Sequence, residues 1–224
     1  MKKKPASVTP AQPKTTESVA RVHSLAWSGQ HAQAIELATQ ALTVPGTGGS
    51  RSVPTQMDLL DLRAESYIAL GKLDQSAEDA AAMLKFANPG NLKSKIKNQQ
   101  YLAQALNRKA LVQMRQGDLP GALETASAAV EAARSVKTEG QPVLLAISLF
   151  RLSEAQFRSG QNEASIPSGQ EALALFQAAN EPKALHIIKG AGHSFAFHEK
   201  QLFALTLQYL RKWNAIKRKR GKKT

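Results

Sequence analysis

Apolar and polar positions along this chain fall into the same arrangement four times. AWSGQHAQAIELATQAL, ALGKLDQSAEDAAAML, RQGDLPGALETASAAV and RSGQNEASIPSGQEAL each carry a glycine in a short polar turn, at Gly29, Gly71, Gly117 and Gly160. An apolar-periodic stretch precedes each glycine and a second, alanine-rich one follows it in most copies. Successive glycines stand 42, 46 and 43 residues apart, and a regular period in this range predicts stacked helical hairpins.

The residues around each glycine fit that prediction. Glycine at the end of a first helix can take a left-handed backbone conformation without a Cβ clash. Five residues after it come Ala34, Ser76, Ala122 and Ser165, and twelve after it come Ala41, Met83, Ala129 and Ala172. Seven before it come Val22, Ala64, Ala110 and Ser153, three of them small. Small side chains at such places let paired helices approach closely. Asp74, Asp118 and Asn162 follow three of the glycines and are expected to cap the second helices.

These small-residue sites are where the tetratricopeptide repeat requires them, and residues 15–181 resemble a tetratricopeptide repeat domain. The resemblance implies an all-α fold, a right-handed solenoid of about four helical hairpins that mediates protein–protein interaction. DLLDLRAESYIALGKLDQSAEDAAAMLKFA and QALNRKALVQMRQGDLPGALETASAAVEAAR are similar more narrowly to repeat regions of bacterial signalling proteins, the maltose-regulator type of activator and the nucleotide cyclases. The period here is longer than the usual 34 residues of the family, which implies longer helices and connections. The glycine- and proline-rich stretch PGTGGSRSVPTQ is expected to be a mobile connection. Pro167 and Gly169 are expected to kink or delay the last second helix, since an interior proline costs about 3 kcal/mol. Pro120 falls in a first turn, where proline is tolerated.

A solenoid of this kind presents a concave surface lined by the first helix of each pair. With the glycine as register, the inward candidates for partner binding are His23, Trp27, Asp61, Glu65, Asn107, Leu111, Arg115, Phe150, Glu154 and Arg158. Apolar anchors with fixed charges suit a peptide or a partner helix. Asp58, Asp61 and Glu65 make the second repeat acidic, which favours a basic or neutral ligand.

The pattern changes after residue 181. ALHIIKGAGHSFAFHEKQLFALTLQYLRKW reads as a short strand, a turn and a helix over residues 182–213, and it resembles the C-terminal end of an α/β-hydrolase. On that resemblance His193 matches the triad histidine and Gly190 and Gly192 the loop that presents it. The nucleophile elbow G-x-S-x-G does not occur in the chain, so the expectation is no enzyme activity and no catalytic residue. The alternative is a hydrolase-derived protein whose vestigial site at His193 is completed by a partner. The apolar stripe Leu202, Phe203, Leu205, Leu207, Tyr209, Leu210 and Trp213 suits a helix that caps the end of the repeats. His186, His193 and His198 lie close in sequence, but their spacing matches no strong zinc pattern, and no metal or cofactor is expected.

Charge changes the picture only at the ends. The formal net charge is +13, yet twelve of the 30 Lys and Arg residues lie in residues 1–14 and 211–224, leaving 18 against 17 acidic residues between them. These ends are expected to be disordered basic tails, 1–14 and 214–224, and the second could bring the protein to nucleic acid or an anionic membrane. The absence of cysteine fits a reducing compartment, and a cytoplasmic location is expected.

Overall fold

The computed structural model describes residues 15–43, 52–87, 95–138 and 140–178. The chain divides into two compact units, Met1–Phe176 and Gln177–Thr224, and the fold described below is that of the first. Eight helices are described: α1 (Thr15–Trp27), α2 (His31–Thr43), α3 (Val53–Ala69), α4 (Leu73–Phe86), α5 (Lys95–Gln116), α6 (Leu119–Arg134), α7 (Gln141–Arg158) and α8 (Asn162–Ala178). They pair as four hairpins, and each hairpin packs on the next, with α1, α3, α5 and α7 adjacent in a row. This is an all-α, tetratricopeptide-like solenoid.

The four turns are built identically. Gly29, Gly71, Gly117 and Gly160 have φ of 77°, 70°, 85° and 77°. Each glycine amide donates to the carbonyl three residues back, and the next residue's amide reaches back five: Gln30 to Leu25, Lys72 to Tyr67, Asp118 to Gln113 and Gln161 to Gln156, at 2.8–2.9 Å. This double closure satisfies carbonyls that the end of a helix would otherwise leave unpaired, and it needs a left-handed residue at the glycine.

Within each hairpin the small residues meet as their register implies. Ala34, Ala64, Ala110 and Ala122 have no exposed surface. Ser76 Oγ donates to the Ala64 carbonyl at 3.0 Å, and in the last hairpin the roles are reversed, with Ser153 Oγ donating to the Ser165 carbonyl at 2.9 Å. Ala122→Leu is expected to destabilise the fold by about 1–3 kcal/mol through overpacking between α5 and α6. Glu124→Leu, at an exposed site two residues away, should leave the denaturant midpoint nearly unchanged. Equal midpoints for the two variants would contradict the close helix approach.

Three sequence expectations are corrected. Only Asp118 is an N-cap: its Oδ1 accepts from the Gly121 amide at 3.0 Å, while Gln113 Nε2 donates to its Oδ2 at 2.9 Å. Asp74 and Asn162 lie inside the first turns of α4 and α8, because they sit two and one positions further from the glycine than a cap requires. The second correction concerns the start of α8, which is not delayed: the helix begins at Asn162 and includes Pro167 on its way to Ala178. Pro167 is exposed, so the carbonyl deprived of its amide partner can be hydrated. Gly169 is a packing site: a Cβ there would lie 3.1 Å from Ser153 Oγ, so the missing side chain lets α8 approach α7. Third, Val53 to Gln56, read as part of a mobile connection, form the first turn of α3, with Pro54 where proline is tolerated.

The apolar cores lie largely between hairpins. Val22, Ala34, Ala38 and Leu59 join the first hairpin to α3. Met57, Met83, Tyr101 and Ala105 join the second hairpin to α5. Val130, Leu144, Leu149 and Ala172 tie the third hairpin to the fourth. A repeat of this length cannot bury its apolar face alone, so stacking supplies the burial.

Candidate functional site

The exposed faces of α3, α5 and α7 form a groove with two adjoining concavities. The first, about 360 Å³, has Met57 and Met83 as an apolar floor, Asp58 and Asp61 on the α3 side, and Asn107 and Ile147 across from them. The second continues along the same helices between Glu65, Arg115, Phe150 and Arg151. Ile147 and Phe150 are exposed large apolar side chains on α7.

Two ion-paired arginines, one nearly buried and one partly exposed, hold the walls in place. Arg108 on α5, with a side chain only 9% exposed, donates from Nε to Asp61 Oδ1 at 2.7 Å and lies 3.6 Å from Glu65 Oε2. Burial works against its charge, but Asp61 and then Glu65 more than offset this and hold the guanidinium above its ordinary value. Arg151 on α7 donates to Glu154 Oε2 at 2.9 Å and lies over the Phe150 ring, 5.4 Å from its centroid. Its pKa is pushed down: burial is the largest cause, Glu154 opposes it, and Arg108 and Arg115 add like-charge repulsion. Glu154 also accepts from Arg158 at 3.3 Å, so the one acid pairs with two arginines. Arg115 has no ion-pair partner among the described residues.

At the opposite end, Asp58 sits at the mouth of the first concavity. It is exposed, but neighbouring helices remove enough water, and Asp61 adds enough repulsion, to raise its pKa. The same crowding, together with Asp58, raises Tyr101. A carboxyl with a raised folded pKa opposes folding once ionised. As pH rises the unfolded chain releases the proton first, near pH 3.9, and the penalty grows until the raised folded value is passed. Asp58→Asn is therefore expected to raise stability slightly at pH 7, with the gain vanishing below about pH 3.9. Thermal melts at both pH values check this, and a loss of stability at pH 7 would contradict it.

Asn107 is 6% exposed and lines the first concavity. Its Nδ2 donates to Ser148 Oγ at 2.9 Å, and Ser148 Oγ donates onward to the Leu144 carbonyl, which fixes the amide's orientation. Its Oδ1 has no hydrogen-bond partner.

Of the sequence candidates, Asp61, Glu65, Asn107, Leu111, Arg115 and Phe150 come together along this groove. Glu154 and Arg158 continue the same face of α7 as an ion pair. His23 and Trp27 are placed elsewhere: they stack on each other on α1, with ring centroids 5.7 Å apart, and neither lines the two concavities. Trp27 is 84% exposed. The sequence reading missed Arg108 and Arg151. Both stand nine residues before a turn glycine, in consecutive repeats, and that recurrence was the available signal.

His193, with His186 and His198, lies outside the described residues, as do the expected strand-turn-helix segment and the basic tails. Among the described residues no group of histidines and acids could hold a metal ion. No described helix is long and apolar enough to cross a membrane.

Comparison with known proteins agrees with this architecture. Residues 101–178 match the tetratricopeptide repeat family. No curated protein matches the chain. Among solved structures, BtubC (BKLC) from P. vanneervenii is similar at 16% identity, over 80% of this chain and 96% of that one, with a TM-score of 0.29, too low for any argument to rest on it.

Proposed function

We propose that this protein is a non-catalytic scaffold that captures a peptide segment of a protein partner in the groove of α3, α5 and α7. Tetratricopeptide repeats in general bind protein or peptide partners, and the matched repeats supply two of the three groove helices. The observation that carries the reading is the exposure of Ile147 and Phe150 between fixed charges. A solvated face has no need of two large apolar side chains beside largely covered, ion-paired arginines. Apolar anchors in a charged frame are how peptide-binding grooves combine affinity with orientation.

The test places a photo-crosslinking side chain at position 150 of the full chain and, separately, at Glu124 on the exposed face of α6. In extract of the source cell, adducts identified by mass spectrometry should form from position 150 and not from position 124. Unmodified chain carrying both Ile147→Ala and Phe150→Ala should recover the same partner at least about thirtyfold less well, since two apolar anchors at about 1–2 kcal/mol each sum to about 2–4 kcal/mol. Trp27→Ala, away from the concavities, should recover it unchanged. Equal adducts from both positions, or recovery insensitive to Ile147 and Phe150, would place the binding surface elsewhere.

A further inference from the structure

The groove has an electrical direction. Counting back from each turn glycine, its side chains come in layers along three adjacent helices. Asp58, Gln104 and Ile147 stand thirteen residues before their glycines, and Asp61, Asn107 and Phe150 stand ten before. Arg108 and Arg151 stand nine before, and Arg115 and Arg158 two before. The first layer therefore holds a carboxylate with no cation, Asp58, and the last lines the groove through Arg115.

The charges between these layers are paired but not balanced: Arg108 is shared by Asp61 and Glu65, which leaves a surplus negative charge, and Glu154 is shared by Arg151 and Arg158, which leaves a surplus positive one. The groove charges with no ion pair among the described residues are Asp58 at one end and Arg115 at the other. Near the acidic end, Asn107 Oδ1 is a buried acceptor without a partner, which costs about 1–3 kcal/mol.

We propose that the groove selects its partner segment by charge order: a lysine or arginine beside Asp58, an apolar residue on Ile147 and Phe150, and an aspartate or glutamate at Arg115. Eleven residues separate the first and last layers, which at 1.5 Å per residue is about 16 Å. An extended chain covers that distance in about five residues at 3.3 Å each. The selected segment therefore carries its basic and acidic residues about five positions apart, with the apolar residue between them. This inference rests on the peptide-capture reading above and adds the chemistry of the peptide.

The experiment is selection of a phage-displayed random heptapeptide library on the immobilised full chain, with helical content and melting temperature measured for every variant. Heptapeptides are too short to hold a stable helix, so they report on extended binding. Selected sequences should be enriched for one basic and one acidic residue about five positions apart, flanking an apolar one. Asp58→Lys should weaken a selected peptide about tenfold, a change of 1.4 kcal/mol, and reselection on it should lose the basic residue while keeping the acidic one. Arg115→Glu should do the reverse. Peptides that need Phe150 but show no charge pairing, or lose neither charge in the variants, would overturn the charge-order inference and leave groove capture standing. No enriched peptide, or enrichment indifferent to Phe150→Ala, would overturn both.

Discussion

Arg63→Met is expected to lower the stability of the first unit by about 3–5 kcal/mol, the usual cost of leaving one member of a buried ion pair without its partner. Arg63 donates from Nε to Asp79 Oδ2 at 2.9 Å and from a terminal nitrogen to Asp79 Oδ1 at 2.6 Å, a two-pronged contact between α3 and α4. The Asp79 side chain is only 5% exposed, so water can do little to replace its partner, while that of Arg63 is 17% exposed. Arg63 also donates to Thr39 Oγ1 at 2.9 Å, which ties α2 to the second hairpin. The hydrogen bond to Asp79 is the main reason its guanidinium is held above its ordinary pKa.

The substitution keeps the aliphatic bulk and strands a buried carboxylate. Asp79→Leu alone should be similarly harmful, because it strands the guanidinium. The double variant Arg63→Met with Asp79→Leu should regain most of the loss, since two apolar side chains can replace a buried pair at little net cost. Urea unfolding followed by helical ellipticity measures all three. A double variant no more stable than either single one would show that the pair does more than match two charges.

The second large effect separates folding from binding on one helix. Leu149→Ala should cost about 2–5 kcal/mol, the range for deleting a fully buried leucine. Leu149 is 2% exposed, in the cluster that joins the third and fourth hairpins. Phe150, the next residue, is 50% exposed in the groove. Phe150→Ala should leave the unfolding midpoint close to that of the parent chain and remove most peptide affinity. The neighbouring substitutions thus have opposite signatures: Leu149→Ala lowers the midpoint, and below its melting temperature it still binds. If Phe150→Ala lowered stability as much as Leu149→Ala, the ring would belong to the core and the groove would lose its anchor.

The local elements were legible in the sequence because the signals that set them are local. A glycine with a positive φ closes a helix through bonds to residues three and five positions back, so four such glycines revealed four hairpins before any packing was known. The small residues five after and seven before each glycine were equally readable, because helix pairing within a hairpin fixes which side chains must be small. The inward face was partly legible for the same reason: Asp61, Asn107 and Phe150 share one register, and the hairpin stack brings them into one groove.

What only the tertiary structure decided lies between hairpins. Pro167 and Gly169 read as helix breakers from local rules, yet α8 runs through both. The proline is exposed, and the glycine makes room for Ser153 on a neighbouring helix. Trp27 shares the register of Arg115 and Arg158, but it stacks on His23 away from the groove concavities. Arg63 and Arg108 are not among the sequence candidates, because nothing within one helix shows that a carboxylate from another will meet them. Arg108 finds Asp61 across 47 residues of chain, and that pairing fixes one wall of the groove. Helical periodicity determines which side a residue faces. Whether that side meets water, an apolar neighbour or an opposite charge depends on the next hairpin in the stack, and so do the burial and the electrical direction of this groove.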